Sequence, residues 1–288
     1  MTGWLITNGF LQSDKFSGLY ALLSAAAKGE GIELVSKSSA ELSCALDEDL
    51  FRNGKPDFVL FWDKDYYLAK RLEGAGIRLF NNAEGIRICD DKALTALFAQ
   101  GKLPMPKTVI APKTFDGVGY SNREFLDMAS KKLGFPMVVK EAFGSFGAQV
   151  YLAEDRAQLD NIVDGLGAKP FIMQEFIAES RGRDVRINVV GGKVFCAILR
   201  ENPNDFRSNI TGGGVAKEYQ PTQAQAQLAV EICRLFNLDF AGVDVLFEKD
   251  GQPLMCEVNS NPHFKSTYDC TGKDMSVEIM RHIKGQLL

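Results

Sequence analysis

Apolar positions come in short blocks over residues 1–83, separated by stretches with helical spacing. Gly3 to Thr7 is one block and Ile32 to Ser36 a second. Phe58 to Trp62, opened by Pro56-Asp57, is a third, and Ile77 to Phe80 a fourth. Between them, Ser17 to Lys28 and Asp65 to Leu72 repeat their apolar residues at helical intervals, the latter stopping before Gly74 and Gly76. Short apolar strands separated by helices predict a parallel sheet covered on both faces. The expectation is a small Rossmann-like unit.

One helix is expected from Glu84 to Gln100, stopped by Gly101 and the Pro104-Met-Pro106 breaker. Ser121 reads as the cap of the next, with Glu124 three residues on and an end at Leu133. From Phe135 the strands lengthen and the turns tighten. Strands are expected at Met137–Glu141, Gln149–Ala153, Phe171–Ile177, Val185–Val190 and Val194–Leu199. Gly191-Gly192 between the last two is a two-residue hairpin signal. A helix over Gln223–Phe236, a further hairpin and a C-terminal helix from Met275 follow. The fold class is therefore α/β at the start and α+β, with antiparallel sheets, afterwards.

Composition narrows the class. The 288 residues are 45% apolar and 24% charged, enough to bury the cores of about two domains. The net charge of −4 is spread evenly. No basic half is available for a phosphate backbone, so nucleic acid is not an expected partner. No apolar run approaches the roughly 20 residues that span a bilayer, and the N-terminus has no basic segment followed by an apolar one. No membrane partner is expected. Six scattered cysteines (Cys44, Cys89, Cys196, Cys233, Cys256, Cys270) without a C-x-x-C pair read as reduced, mostly buried thiols of a cytoplasmic protein. With only His263 and His282, a histidine-rich zinc site is not expected.

The segment from Ala241 to Asn259 carries the most chemistry. Asp250-Gly251, flanked by alternating apolar residues, signals a two-residue turn in which both central residues have positive φ. A turn there sets Asp244 opposite Glu257, with Asn259 on the same face and Met255 sharing it. Opposed side chains lie about 5 Å apart at Cβ, and two carboxylates there repel. A hard divalent cation between them, with Asn259 as a neutral oxygen ligand, removes the repulsion. A solvated pair on an exposed face is the plainer alternative.

Lys140-Glu-Ala-Phe-Gly-Ser-Phe-Gly-Ala-Gln149 puts a lysine at a strand end and a glycine loop before the next strand. Such a loop lets backbone N–H groups close over phosphates. It is not a Walker loop, because no Lys-Ser/Thr follows and a strand comes next. Gly212-Gly-Gly214 lacks the strand-to-helix setting of a dinucleotide fingerprint. Either loop alone is also what an ordinary flexible turn looks like. Arg207 lies just before the second loop and suits a clamp on a transferred phosphate.

Together these segments resemble the ATP-grasp superfamily, and most closely the RimK-like carboxylate–amine ligases, which include ligases that add glutamate to a ribosomal protein tail. The matching stretches, in family order from about Asn81 to Thr271, begin with Asp91-Lys92, the Gly101-to-Thr108 exit and Phe135-Pro-Met-Val-Val-Lys140. Gln174-Glu-Phe-Ile177, Gly182-Arg-Asp-Val-Arg186, Asp205-Phe-Arg-Ser-Asn209, Ala241-Gly-Val-Asp244 and Glu257-Val-Asn259 continue it. The resemblance implies an N-terminal Rossmann-like, pre-ATP-grasp domain at 1–83. It implies an ATP-grasp domain at 84–288, divided into connecting helices (84–134), a lid with the glycine loop (135–177) and a catalytic part (178–288).

The resemblance also implies roles. Lys92 and Lys140 would bind ATP phosphates under the loop of Gly144, Ser145 and Gly147. Gln174, Glu175, Phe176 and Ile177 would form the hinge beside adenine, and Asp184 would hold ribose. Arg207 and Asn209 would sit by the transferred phosphate, with Arg186 and Arg200 as further family arginines. A plain Gly191-Gly192 turn puts those last two on opposite faces. Asp244, Glu257 and Asn259 would hold Mg²⁺, with Mn²⁺ as a substitute and two ions expected. The implied activity is ATP-dependent amide or peptide bond formation through an acyl phosphate, joining a carboxylate to an amine on an amino acid, peptide, protein tail or metabolite. A homo-oligomer is compatible with it. A regulatory ATP-binding protein of the same fold, and a kinase, are the rival readings. Asn259-Ser-Asn-Pro-His263 departs from the family's Asn-x-Ser-Pro-Gly ending where the acceptor is expected, and His263 could orient a substrate.

Overall fold

A computed structural model describes residues 1–288 apart from Gln12, Ser43, Cys44 and Asn53, and the backbone alone of Asp14 and Lys15. The expected thiol of Cys44 therefore lies outside the described residues. The other five cysteines are free, with Cys196 and Cys233 fully buried. No described helix is long and apolar enough to cross a membrane.

Four strands, β1 (Thr2–Thr7), β2 (Glu33–Ser38), β3 (Phe58–Trp62) and β4 (Leu79–Phe80), form a parallel sheet in the order β2-β1-β3-β4. Every residue of β3 is buried, as a parallel strand covered on both faces requires. Helix α1 (Asp14–Gly29) covers one face and α2 (Tyr66–Gly74) the other. Asp65 caps α2 by accepting from the Leu68 N–H at 3.0 Å.

The expected helix over Glu84–Gln100 is two helices, α3 (Ala83–Asp90) and α4 (Lys92–Ala99). Asp91 between them leaves helical geometry, with φ −103° and ψ 108°. Its carboxylate accepts from the N–H groups of Ala93 and Leu94, a cap that starts a new helix and sets the direction of Lys92. A short strand β5 (Thr108–Ile110) follows, then α5 (Glu124–Leu133). Ser121 is not its cap: Asn122 Oδ1 accepts from the Glu124 N–H at 2.8 Å, one residue closer.

Strands β6 (Met137–Glu141), β7 (Val150–Ala153) and β8 (Phe171–Glu175) join β5 in an antiparallel sheet ordered β5-β8-β6-β7. Helix α6 (Arg156–Leu166), which the sequence reading passed over, packs on it with α5. The largest sheet is antiparallel and ordered β11-β10-β9-β12-β13. Its strands are β9 (Arg183–Val190), β10 (Lys193–Glu201), β11 (Val215–Glu218), β12 (Phe240–Phe247) and β13 (Pro253–Asn259). Helix α7 (Gln223–Leu235) covers its apolar face and begins with a capping box between Thr222 and Gln225.

After α8 (Lys265–Thr271), the last helix α9 (Met275–Leu287) returns to the N-terminal sheet. Its Met275, Ile279, Met280 and Ile283 are buried with Leu19, Leu23, Ala26 and Ala27 of α1. Each full burial of such a side chain contributes about 1.5–3 kcal/mol, so the two ends of the chain hold each other.

Both hairpins of the large sheet contain a bulge that the sequence reading did not anticipate. In β10 the register against β9 shifts between Val194 and Cys196. The Gly191-Gly192 turn itself is as expected, with φ of 57° and 72°. Phe195 is the extra residue, and it turns the remainder of β10 over by one position. Arg200 therefore pairs with Asp184, on the same face as Arg186 and not the opposite one. In β13 the register shifts between Asp244 and Val245. The turn is also not the expected one: Gly251 has φ 72° but Asp250 is not in the left-handed region. Gly251 N–H donates to Glu248 and Glu248 N–H to Gln252, leaving a three-residue loop. That loop and the bulge at Cys256 cancel, so Asp244 still faces Glu257. Met255 is moved off the site face and buried opposite Val245 in the core.

Candidate functional site

The two antiparallel sheets face each other across a cleft of about 740 Å³. On one side, strand alternation sends Met137, Val139 and Met173 into the core and leaves Val138, Lys140 and Gln174 on the cleft wall. On the other, Asp184, Arg200, Asp244 and Glu257 project from the large sheet. Phe176, Ile177 and Leu246 make part of the lining apolar, while Arg207, Asn209 and Gly147 contribute polar groups to it. Of the residues singled out by sequence, Lys140, Gly147, Gln174, Glu175, Phe176, Ile177, Asp184, Arg200, Arg207, Asn209, Asp244 and Glu257 line this one space. Lys92 joins Lys140 and Glu257 around an adjoining cavity. Gly144, Ser145, Arg186 and Asn259 stand outside the lining.

Three buried charges, Asp184, Arg200 and Asp244, and the partly buried Arg186 organise the floor. Arg200 Nε donates to Asp184 Oδ1 at 2.7 Å, and its Nη2 lies 2.9 Å from Asp244 Oδ2. Arg186 bonds both oxygens of Asp244, Nη2 reaching Oδ2 at 2.8 Å. Gly242 makes room for this: a Cβ there would lie 3.1 Å from the Arg186 side chain and 2.9 Å from Pro262. Burial alone would raise the Asp244 pKa; Arg186 and Arg200 outweigh it and hold the carboxyl below the ordinary value. The opposition of Asp244 and Glu257 is thus relieved by arginines from neighbouring strands, and no cation between the carboxylates is needed to explain it. Asp184 already has both oxygens engaged by Arg200.

Glu257 accepts no hydrogen bond from a described residue, and Asn259 uses only its amide N–H, toward the Gly242 carbonyl at 3.3 Å. Two carboxylates and an amide oxygen are hard donors that fit Mg²⁺, although Asp244 would share its oxygens with the arginines. Among the described residues no group of three or more His, Cys, Asp or Glu side chains has metal-holding spacing. The two lysines complete an anion-seeking corner. Lys140 is 8% exposed, with Nζ 3.7 Å from Cys256 Sγ. Lys92 Nζ donates to the Gly144 carbonyl at 3.2 Å. Burial lowers the Lys92 pKa, repulsion from Lys140 and Lys64 adds to this, and Glu257 opposes it.

The glycine loop reaches over the cleft. Arg207 Nη1 donates to the Gly147 carbonyl at 2.9 Å, and its Nε and Nη2 grip Asp205. Gly147 has φ 74°, and a Cβ there would lie 2.4 Å from Asn209 Oδ1. Glu175 accepts from the Lys107 N–H at 2.7 Å and from Lys107 Nζ at 3.0 Å, bracing the hinge. Sequence reasoning missed Asp205, whose two-residue spacing to Arg207 is an Asx-turn signal. It also missed Cys256, which only the bulge turns toward the site.

A lysine on one sheet and another at a helix start, carboxylates on the facing sheet and a glycine loop between them make this fold an ATP-grasp ligase fold. The RimK-like ATP-grasp domain matches residues 89–283, and the chain belongs to that family. An uncharacterized protein of Mycoplasma pneumoniae is 34% identical over 233 residues, 80% of this chain and 81% of that one. Beta-citrylglutamate synthase B of Danio rerio is 34% identical over 217 residues, 74% of this chain but 52% of that protein. The chain thus spans about half the length of that synthase. A RimK domain protein of Sphaerobacter thermophilus has the same fold, with TM-score 0.74 and 20% identity over 99% of this chain and 100% of that one.

Proposed function

We propose that the protein is an ATP- and Mg²⁺-dependent carboxylate–amine ligase acting through an acyl phosphate. The observation that carries this reading is the convergence of Lys92 and Lys140 on Glu257, opposite Asp244, beneath a glycine loop held by Arg207. A buried Lys140 beside a half-buried Lys92 whose pKa is lowered is costly unless an anion joins them, and ATP phosphates meet that need. The apolar lining at Phe176 and Ile177 suits adenine. Asp244, Glu257 and Asn259 would hold Mg²⁺, which supplies charge neutralisation at the phosphates.

In this reading residues 1–83 are the pre-ATP-grasp part and 84–288 the ATP-grasp part, with 135–177 as lid. Amide formation from a free carboxylate is uphill in water, so the γ-phosphoryl group first activates it. Arg207 then faces the charge that develops as the amine attacks. Catalysis is positioning and neutralisation, with no protein nucleophile. One relative carries the name beta-citrylglutamate synthase and another that of a probable alpha-L-glutamate ligase, so an amino acid such as glutamate is the first amine to try, against peptide, protein-tail and metabolite carboxylates. Free cysteines suit a reducing, cytoplasmic setting.

The test supplies ATP, Mg²⁺, a carboxylate panel and hydroxylamine. A hydroxamate formed with ADP is expected. Pyrophosphate release means an adenylating enzyme, and nucleotide binding without turnover on any carboxylate means a regulatory ATP-binding protein.

A further inference from the structure

The N-terminal sheet changes its winding direction between β1 and β3, since β2 lies outside one and β4 outside the other. In open parallel sheets, ligands enter the crevice at the carboxyl ends of the two strands at such a point. The residues there are Asn8 and Asp63, each directly past the Thr7–Trp62 pair. Asp63 is 6% exposed. Its carboxylate accepts from the Lys64 N–H at 2.7 Å and from Asn8 Nδ2 at 3.2 Å. Among the described residues no cationic nitrogen lies within 4.0 Å of it. The neighbouring Lys64 ammonium is spent elsewhere, on Asp90 at 2.5 Å. A carboxylate this buried is ordinarily paired.

A second acceptor adjoins it. Asn261 donates Nδ2 to the Asp63 carbonyl at 2.7 Å, which fixes the orientation of its amide. Its Oδ1 is buried with no donor. Beside them, Phe16 of α1 lies edge-on to His263 at 5.6 Å and to Phe146 of the glycine loop at 6.3 Å. The crevice therefore adjoins the lid of the phosphate site.

We propose that this crevice binds the amine substrate as its ammonium ion, with Asp63 as counter-charge and Asn261 Oδ1 as acceptor. The proposal rests on the ligase reading and names how its amine is recognised. An ammonium has three donors and no acceptor, which matches a buried carboxylate held only by neutral donors beside an amide oxygen that lacks one; a carboxylate or phosphate would meet repulsion. On reaction the ammonium first loses one proton to solvent. The C–N bond then forms, the C–O bond to the phosphoryl group breaks, and a second proton leaves with hydrogen phosphate.

The test titrates the standard L-amino acids and their N-acetyl derivatives into protein saturated with a non-hydrolysable ATP analogue and Mg²⁺. At least one free amino acid is expected to bind about tenfold or more tightly than its acetylated form. Asp63→Asn, which keeps the size and the contact with Asn8, is expected to erase that preference while nucleotide affinity stays unchanged. Asp63→Glu should retain part of it. Equal binding of every free and acetylated pair overturns the proposal, as does an unchanged preference in Asp63→Asn. If the preference behaves as expected but the bound amino acid drives no ADP formation with any carboxylate, the ligase reading fails while the ammonium site stands.

Discussion

Arg200 on β10 reaches past β9 to place Nη2 2.9 Å from Asp244 Oδ2 on β12. This contact exists because Phe195 is bulged out of β10; without the shift, Arg200 would point into the apolar layer under α7. The result is a largely buried chain of alternating charge, Asp184–Arg200–Asp244–Arg186, whose formal sum is zero. Its neutrality lets it sit beneath a cleft that must attract a polyanion.

Asp244→Asn and Glu257→Gln are expected to abolish turnover alike but to differ in stability. Asp244→Asn strips the counter-charge from the partly buried Arg186 and one of the two from the buried Arg200, a loss of about 3–5 kcal/mol. Glu257 accepts no hydrogen bond from a described residue, and its change should stay within about 0.5 kcal/mol. Urea unfolding measures both, and equal stabilities would contradict the arginine pairing.

Acid should expose the same network. Asp244 is held below 3.8 by its arginines against burial, and Asp205 below its ordinary value by the hydrogen bonds of Arg207. A carboxyl with a lowered folded pKa contributes stability above its unfolded value and loses it as pH falls through the folded one. These groups leave stability flat near neutrality and reduce it below about pH 3.8. In Asp244→Asn the acid limb of the urea midpoint against pH should be shallower.

Lys92→Met should stabilise the nucleotide-free protein and weaken ATP binding together. A lysine whose folded pKa is lowered costs the folded state while charged, and the penalty fades only as pH rises toward 10.5. Thermal melts with and without ATP check this. A variant less stable in both conditions would show that the ammonium is already satisfied by the Gly144 carbonyl.

Gly147→Ala should impair closure of the loop. It forces alanine into a left-handed conformation, at about 1–2 kcal/mol, and drives its methyl against Asn209. Hydrogen exchange over residues 142–149 should be slowed by nucleotide in the natural protein and much less in the variant. Equal protection with and without nucleotide in the natural protein would rule out a moving lid.

Arg207→Ala should slow turnover by about two orders of magnitude with a smaller effect on ATP affinity. Arg207→Lys should not restore the rate, because one ammonium cannot grip Asp205 and the Gly147 carbonyl at once. Full rescue by lysine would leave charge alone as the requirement.

Much of this was legible in the chain. The parallel start followed from blocks such as Phe58–Trp62; the opposition of Asp244 and Glu257 was also expected, but from a two-residue turn, and it holds because a longer loop and a bulge offset each other. What escaped depended on packing between distant segments. A bulge leaves little local signal; Phe195 is displaced so that its neighbours fit two different layers. The break at Asp91 was readable as a cap, but the unbroken apolar rhythm from Ile86 to Ala99 outweighed it. The double hold of Arg186 and Arg200 on Asp244 joins three strands and has no trace in the spacing of any one.

The bulge at Cys256 also frees the site from the tip of its own hairpin. The same strands could close with a tight Asp250-Gly251 turn and no bulge, and Asp244 would still meet Glu257. Leu254 and Met255 would exchange faces, and Cys256 would turn from the site toward the core opposite Val245. Slack of one residue is thus stored between the reacting end and the exposed tip at Glu248–Gln252. That tip is where a reporter peptide or fluorophore can be grafted without disturbing the chemistry at the other end of the strands.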